Sequence, residues 1–529
     1  MTHFIDDSQA FIPDVWSVHA RHFPNREAAV CGDQRITWQQ YNEGLNRVAN
    51  GLKGLGIGRN DMVAVVMSNS IDMLLALYGI IKAGACVVPL STMLSSDQLK
   101  GLIEDSGATS LFANDDTRHL LDPILDDMPQ ITPTHRFLLG EAGNDWQDMA
   151  AWLANQSTEE PGIIYAMDDP VNIIYSSGTT GLPKGIVQTH RARQHFAWSN
   201  VIEMGFSRHS KALVTTALYS NGTWLMALPV LFAGGTLHIL ESFDPVSFLS
   251  TVEREQITHS FMVPTQYIVT LEHPGFDDHD VSSLQVMLSA GSPLRVDTKK
   301  EAIARLCMGM YELYGFSEGS ATMIKPEDAE DKWGSVGTPV IGFDIRIIDD
   351  QDNELPFGET GEIVAYGGGI MKEYHNRPDA TEEIVWRDRA GKTFLRSGDI
   401  GRFDEDGFLF ILDRKKDMII SGGFNVFPAD IEQIVGQHED VSDVTVIGIP
   451  HDKWGETPLA FVILKQGATT ALDDILGWAN EQLAKTQRIS AIEERDEFPR
   501  NALGKVIKRE LRAPYWDDNY LPPWGDKSL

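Results

Sequence analysis

Cysteine is nearly missing from this chain: three in 529 residues, Cys31, Cys86 and Cys307, far apart and without paired spacing. That excludes a disulfide framework and a cysteine-held metal cluster, and it suits buried thiols in a reducing compartment. Positive charge is scarce too. Lys and Arg total 44 against 76 Asp and Glu, a net charge of -32. A nucleic-acid partner needs the opposite balance, so none is expected, and any phosphate site must be built locally from backbone N–H groups and a few cations. No apolar run is long enough for a membrane, since residues 74–81 stop at Lys82 before the run resumes from Ala83 to Leu90, short of about 20 uninterrupted residues. The first residues lack the basic segment and apolar core of a secretory signal. The ending Asp526-Lys527-Ser528-Leu529 is not a Ser-Lys-Leu address. A cytoplasmic location without integral membrane association is therefore expected. Tracts poor in apolar residues are also lacking: 42% of the chain is hydrophobic and 23% charged, an ordinary globular balance.

The chain is too long for one ordinary core, and its length predicts a large body with at least one smaller domain. Apolar residues recur at helical spacing from Thr37 onward and end in glycines, followed by a buried strand over 63–67, a helix over 71–83 and a strand over 86–90. This alternation continues past residue 290 and predicts an α/β body with largely parallel sheets. After residue 343 the pattern becomes strand-rich, in 343–349 and 361–366, and reads as a small β-barrel or sheet. Beyond the charged run Asp413-Arg414-Lys415-Lys416-Asp417, strands over 444–449 and 459–464 alternate with helices over 429–437 and 472–483. The expected fold is thus α/β: a large N-terminal body of mixed sheets with helices plus a small β-barrel, and a smaller mobile α+β C-terminal domain. The expected boundaries are 1–413, a hinge at 414–417, and 418–529.

The most informative segment is 175–185, Tyr175-Ser176-Ser177-Gly178-Thr179-Thr180-Gly181-Leu182-Pro183-Lys184-Gly185, preceded by the apolar Ile173-Ile174. Glycines let backbone N–H groups approach anionic oxygens, hydroxyls add donors, and Lys184 supplies the compensating charge. The loop differs from the common NTPase loop, because Pro183-Lys184 stands where Gly-Lys would. Alone, such a stretch is more often a surface turn. Its full length, however, closely resembles the signature of the acyl-adenylate-forming superfamily, which comprises acyl-CoA synthetases, peptide-synthetase adenylation domains and beetle luciferases.

Other segments carry the same resemblance in family order across nearly the whole chain. Ser289-Ala290-Gly291-Ser292-Pro293-Leu294 is similar to the family's adenine-pocket turn, and Tyr311-Glu312-Leu313-Tyr314-Gly315-Phe316-Ser317-Glu318 to its aromatic and acidic motif. The resemblance implies that Tyr314 stacks on adenine, Ser317 bonds the α-phosphate, Glu318 holds Mg2+, and Gly291, Ser292, Pro293, Glu312, Leu313 and Gly315 line the nucleotide. The family usually has Thr where this chain has Ser317, which keeps the hydroxyl. Arg396-Ser397-Gly398-Asp399 resembles the ribose motif, with Asp399 on the sugar hydroxyls. By the same resemblance Arg414 contacts ribose or phosphate, Lys416 sits at a pivot, and Gly422-Gly423 line the tunnel for the pantetheine arm of coenzyme A. Pro499-Arg500-Asn501-Ala502-Leu503-Gly504-Lys505 matches the C-terminal motif, whose catalytic lysine is carried onto Lys505, while Lys508 and Arg509 read as surface charges.

The implied activity is that of an AMP-forming acid:CoA ligase using ATP, Mg2+ and coenzyme A, with Lys505, Glu318 and Lys184 as its catalytic groups. Its partner is a small-molecule carboxylic acid, fatty or aryl, and the chain is expected as a monomer or homodimer. The acid is expected along 218–224, where Tyr219-Ser220-Asn221 stands in place of the family's frequent aromatic-His pair, with Trp224, Met262 and Phe316 completing an apolar pocket. Core packing explains those apolar residues as well. No Asp is seen there for a substrate ammonium, which disfavours amino-acid adenylation. Rival readings are a relative that passes its acyl-adenylate to another acceptor, as luciferases do, and a catalytically silent scaffold. Lys184, Glu318, Asp399 and Lys505 together speak against the second.

Overall fold

The computed structural model describes residues 10–143, 145–176, 183–422, 424–451, 453–500 and 506–516. Of the candidate site residues named above, Ser177, Gly178, Thr179, Thr180, Gly181, Gly423 and Lys505 lie outside them. The chain forms two compact units. One comprises Met1–Trp333, Gly337–Asp344 and Ala365–Leu395, the other Gly334–Val336, Ile345–Val364 and Arg396–Leu529.

Local signals in the first unit behave as their chemistry dictates. The helix Trp38–Gly54 starts at Thr37, whose hydroxyl accepts from Gln40 N while Gln40 Oε1 takes the Thr37 N–H (2.9 Å), a reciprocal cap. The next helix, Ile71–Lys82, is capped by Ser70. Lys82, which breaks the apolar run, is only 1% exposed. Its ammonium is satisfied by Ser17 Oγ (2.9 Å), Asn42 Oδ1 (2.5 Å) and Glu160 (3.0 Å), so a buried charge is tolerated.

Two large sheets organise this unit. The nine-stranded sheet runs Thr338–Pro339, Thr322–Ile324, Met310–Tyr314, Val286–Ala290, His259–Met262, Lys211–Val214, Thr236–Ile239, Glu27–Cys31, Gln34–Thr37. The eight-stranded sheet runs Glu373–Tyr374, Lys184–Thr189, Pro170–Ser176, Cys86–Pro89, Met62–Val66, Ser110–Asn114, Arg136–Leu139, Gln147–Asp148. Successive side chains of a strand point to opposite faces, and each sheet accordingly serves two cores. Val63, Val65 and Val87 join Val214 and Leu288 in a core shared by both sheets with helices Trp38–Gly54, Ile71–Lys82 and Trp224–Phe232. Ala64, Val66 and Val88 face a second core, and Leu213, Met262 and Met287 a third. The expectation of largely parallel sheets holds at the centres. Pro170–Ser176 and Lys184–Thr189, however, form an antiparallel hairpin, because the short loop between them leaves no length for a crossover. All three cysteines are buried thiols.

The strand-rich text after residue 343 forms a five-stranded sheet in the order Phe343–Ile348, Gly361–Gly367, Thr393–Phe403, Val385–Arg387, with Leu409–Arg414 pairing Thr393–Phe403. In the second unit, Val441–His451 and Gly455–Leu464 pair antiparallel from Val441↔Leu464 to His451↔Gly455. Their alternating residues serve two small cores: Val446, Ala460 and Val462 pack under helices Pro428–Val435 and Leu472–Gln482, while Ile447, Leu459 and Phe461 meet Phe498 and Tyr515.

Asp413 anchors this unit. Its Oδ1 accepts from Arg414 N (2.6 Å) and its Oδ2 from Ala429 N (3.1 Å), in the first turn of Pro428–Val435. Burial pushes its carboxyl up from 3.8 to about 6, against the lowering pull of Lys508. A raised carboxyl contributes stability that is complete below its unfolded pKa and is lost as pH rises through the folded one, here between pH 3.8 and about 6. That shift corresponds to ~3 kcal/mol. Hydrogen exchange in the second unit should therefore quicken over this window, and Asp413→Asn should remove that part of the pH slope even though its amide leaves one N–H unpaired. An unchanged slope in Asp413→Asn would refute the assignment.

Candidate active site

In open α/β sheets ligands bind beyond the carboxyl ends of the strands. The parallel neighbours Val286–Ala290 and Met310–Tyr314, in register as Ala290↔Leu313, release the expected adenine turn and the aromatic-acidic motif side by side. Gly291 takes φ +94°, a conformation other residues avoid. At Gly315 a Cβ would come 2.2 Å from the Ser320 carbonyl oxygen, so only glycine fits. Glu312 serves the turn directly: Oε1 accepts from Leu294 N (3.0 Å) and Oε2 pairs with Lys299 (2.6 Å), both side chains nearly excluded from solvent. Lys299 also donates to the Trp333 carbonyl (3.0 Å). It was missed in the sequence. The available signal is its spacing of three from Ala302, the other buried residue of helix Val296–Arg305. Lys299→Met would leave Glu312 buried without its counter-ion, at a cost of about 3–5 kcal/mol. The melting temperature of Lys299→Met should fall sharply, and adding Glu312→Gln should recover part of the loss. Additive losses would refute the coupling.

The expected phosphate end adjoins the hairpin of Pro170–Ser176 and Lys184–Thr189. Ser176, the last residue of its strand, stands opposite Lys184, the first of the next. Tyr175 donates to Asp105 Oδ2 (2.8 Å), and Asp105 Oδ1 holds Arg377 (2.6 Å). The short strand Glu373–Tyr374 adds to Lys184–Thr189 with Tyr374 opposite Ile186. This places the Tyr374 ring 4.7 Å from Lys184 Nζ while its hydroxyl donates to Glu318 Oε1 (2.5 Å). Burial, then the Glu318 carboxylate, push this phenol well above its ordinary pKa, so it remains a donor. The Glu318 carbonyl accepts from Met371 N (2.5 Å) and the Ser317 carbonyl from Gln188 (2.9 Å). Lys184 and Glu318 are thus brought to one tyrosine that the sequence reading did not single out, because it lies far downstream in a segment without a chemical signature.

Among the described residues no group of three or more His, Cys, Asp or Glu side chains gathers to hold a metal. A lone half-buried carboxylate, Glu318, fits magnesium, which takes one or two carboxylates and completes its shell with substrate phosphates and water.

The residues expected around the acid divide. Tyr219 is partly buried against the shared core, and Ser220 is buried at the start of the turn Asn221–Thr223. Trp224 is fully buried, its indole N–H donating to the Leu218 carbonyl (2.9 Å) and its ring 5.5 Å from Tyr78. Met262 lies in the third core with Tyr267 and Phe248, on the other face of its sheet. Phe316 packs with Ile186, Met371 and Tyr374. The structure therefore groups Tyr219, Ser220, Asn221 and Trp224, and leaves Met262 and Phe316 elsewhere.

In the second unit the two residues expected at ribose meet: Asp399 stands opposite Arg414 across a strand pair, and their side chains pair at 3.1 Å. Gly422 takes φ +59°, its N–H donates to the Trp454 carbonyl (2.7 Å), and a Cβ there would be 2.9 Å from the Trp454 ring. Lys508, expected at the surface, instead pairs with Glu432 (2.8 Å), its side chain 18% exposed.

Residues 16–375 match the family described as AMP-binding enzyme, and 430–505 match the AMP-binding enzyme C-terminal domain. Feruloyl-CoA synthase from Amycolatopsis sp is 33% identical over 509 residues, covering 94% of this chain and 98% of that protein. Long-chain-fatty-acid–CoA ligase FadD13 of Mycobacterium tuberculosis (strain ATCC 25618 / H37Rv) is 31% identical over 494 residues, 91% of this chain and 94% of that one. Among solved structures, ATP-bound MatB from Rhodopseudomonas palustris superposes with a TM-score of 0.85 at 27% identity, covering 96% and 99% of the two chains. The chain belongs to the AMP-binding enzyme family, within the acyl-adenylate-forming superfamily.

Proposed function

We propose that this chain is an AMP-forming acid:CoA ligase: it activates a carboxylic acid with ATP as the acyl-adenylate, releasing pyrophosphate, and transfers the acyl group to coenzyme A, releasing AMP. The observation that carries this reading is the convergence of Lys184 and Glu318 on Tyr374 at the end of the hydroxyl- and glycine-rich hairpin, beside the turn that Glu312 holds. A carboxylate is a poor acyl donor until one of its oxygens sits on a good leaving group, and AMP provides one. Catalysis of that step is positioning plus neutralisation of charge on the transferring phosphorus and on pyrophosphate. Lys184 and the donors of 176–181 hold the phosphate chain, Ser317 the α-phosphate, Tyr314 the adenine, and Asp399 with Arg414 the ribose. Magnesium, when bound at Glu318, supplies further neutralisation of the leaving pyrophosphate. Lys505 bridges the attacking carboxylate and ATP.

In the second half-reaction the thiol attacks the acyl carbon and AMP leaves. Lys505 and the thiol need the same approach, so the domain after the 414–417 hinge turns at Lys416 between the two steps and presents Gly422-Gly423 to the pantetheine arm. The related proteins act on aryl acids, as feruloyl-CoA synthase does, and on long-chain fatty acids, and this chain is read as taking a fatty or aryl acid. The acid-rich composition speaks against a nucleic-acid partner, and we read the enzyme as cytoplasmic, acting as a monomer or homodimer. No described helix is long and apolar enough to cross a membrane.

The test is AMP formation and thiol loss across a panel of short, fatty and aryl acids. Equal molar yields of AMP and thioester are expected for at least one acid. AMP formation without thiol consumption would replace this reading with an enzyme that uses another acceptor.

A further inference from the structure

Arg193, on helix His190–Met204, is 2% exposed. Its Nε donates to Asn172 Oδ1 (2.7 Å) and its Nη2 to Asn221 Oδ1 (2.8 Å). The guanidinium lies 4.8 Å from the Trp224 ring and 5.4 Å from that of Phe196. No carboxylate pairs with it among the described residues, and the loop 177–182 contains no Asp or Glu. Burial pushes it down to about 9, which leaves it a cation at neutral pH. A buried cation normally requires an anion and a full set of acceptors, and here, among the described residues, two amide oxygens serve a group with five N–H donors.

The neighbourhood holds further unpaired polar groups. Asn172 Nδ2 and the Tyr78 hydroxyl are buried with no partner among the described residues, and Tyr78 is the group that acts electrostatically on Arg193. Had this position only to fill space beside Trp224, an apolar side chain would do so without the desolvation cost. Asn221 links the cluster to the stretch where the acid is expected: it is half-buried, starts the turn Asn221–Thr223, and spends its side-chain oxygen on Arg193.

We propose that Arg193 and Asn221 recognise a second oxygen function on the acyl substrate, so that the acids this enzyme prefers carry an acceptor oxygen, carboxylate or phenolic, at the end remote from the reacting carboxylate. The inference rests on the ligase reading above and narrows its substrate class. A site built to hydrogen-bond such an oxygen rejects the analogue lacking it far more strongly than an apolar pocket rejects a misfit.

The experiment compares kcat/KM for CoA-dependent AMP formation within matched sets: cinnamate, 4-hydroxycinnamate and 4-carboxycinnamate, and octanoate with octanedioate. The oxygen-bearing member of at least one set should be preferred by about 100-fold or more, and the two aryl arms distinguish a phenol from a carboxylate. In Arg193→Met that preference should fall to within about threefold. Each ratio is taken within one preparation, so partial misfolding cancels, and Asn221→Leu, which should narrow the same ratio, serves if Arg193→Met cannot be purified. Parental enzyme that takes the unsubstituted acids equally well, or a preference that survives in the variants, overturns the proposal and leaves the ligase reading standing. Absence of AMP with every acid would overturn the ligase reading, and this inference with it.

Discussion

Replacing Lys505 by alanine should slow acyl-adenylate formation by about 100- to 1000-fold, the range found when one preorganised donor to developing charge is removed. The lysine is the one cation of the C-terminal motif read as reaching both the attacking carboxylate and ATP. Its loss leaves Lys184 and the loop donors on the phosphate chain but nothing to hold the two reactants in line. The same change should leave thioester formation from supplied acyl-adenylate within about threefold of the parent, because a group acting only in the first transition state contributes nothing to the second. Lys505 itself lies outside the described residues, but the backbone on either side of its segment is tied: Arg500 bridges Val506, and Ile507 N donates to the Pro499 carbonyl (2.7 Å). Lys508 pairs with Glu432 in the same unit. Stopped-flow measurement of pyrophosphate release and, separately, of thioester formation decides the matter. Equal losses in both steps would show that Lys505 is not specific to adenylation.

Glu318→Gln should also be severe, about 100-fold in adenylation, with the magnesium concentration for half-maximal rate rising at least about tenfold. The substitution is nearly isosteric. Its amide oxygen can still accept from Tyr374, so the contact that places Tyr374 beside Lys184 is kept, while the negative charge is lost. A melting temperature unchanged within a few degrees alongside the shifted magnesium requirement would separate a metal-holding role from a structural one. A loss of rate at unchanged magnesium dependence would contradict it.

Much of this architecture was legible in the amino-acid text because local chemistry and global fold agree. Thr37 and Gln40 cap a helix whose apolar spacing already marked it, and Val63 to Val66 alternate between two cores as a strand buried on both faces should. The segment 175–185 was read as one motif, and the strands that flank it place Ser176 opposite Lys184. What escaped the text depended on contacts between distant segments. Tyr374 acquires its place only by pairing its strand beside Ile186, and Lys299 becomes a counter-ion only when Glu312 is turned toward it. Met262 illustrates a different limit. Its apolar character marked it for a pocket, but which face of the sheet it serves is set by the sheet's position between cores, which puts Met262 among Phe248 and Tyr267. Lys508 looked like surface charge in a basic run, and only the packing of its helix beside Glu432 withdraws it from solvent.

The central claim is that a substrate carboxylate oxygen attacks the α-phosphorus of ATP. It is tested most directly with an acid labelled with oxygen-18 in its carboxylate, turned over with ATP and coenzyme A and analysed by mass spectrometry. One labelled oxygen should appear in AMP and none in pyrophosphate. Label in inorganic phosphate with ADP as the co-product would mean attack at the γ-phosphorus, and would contradict the account.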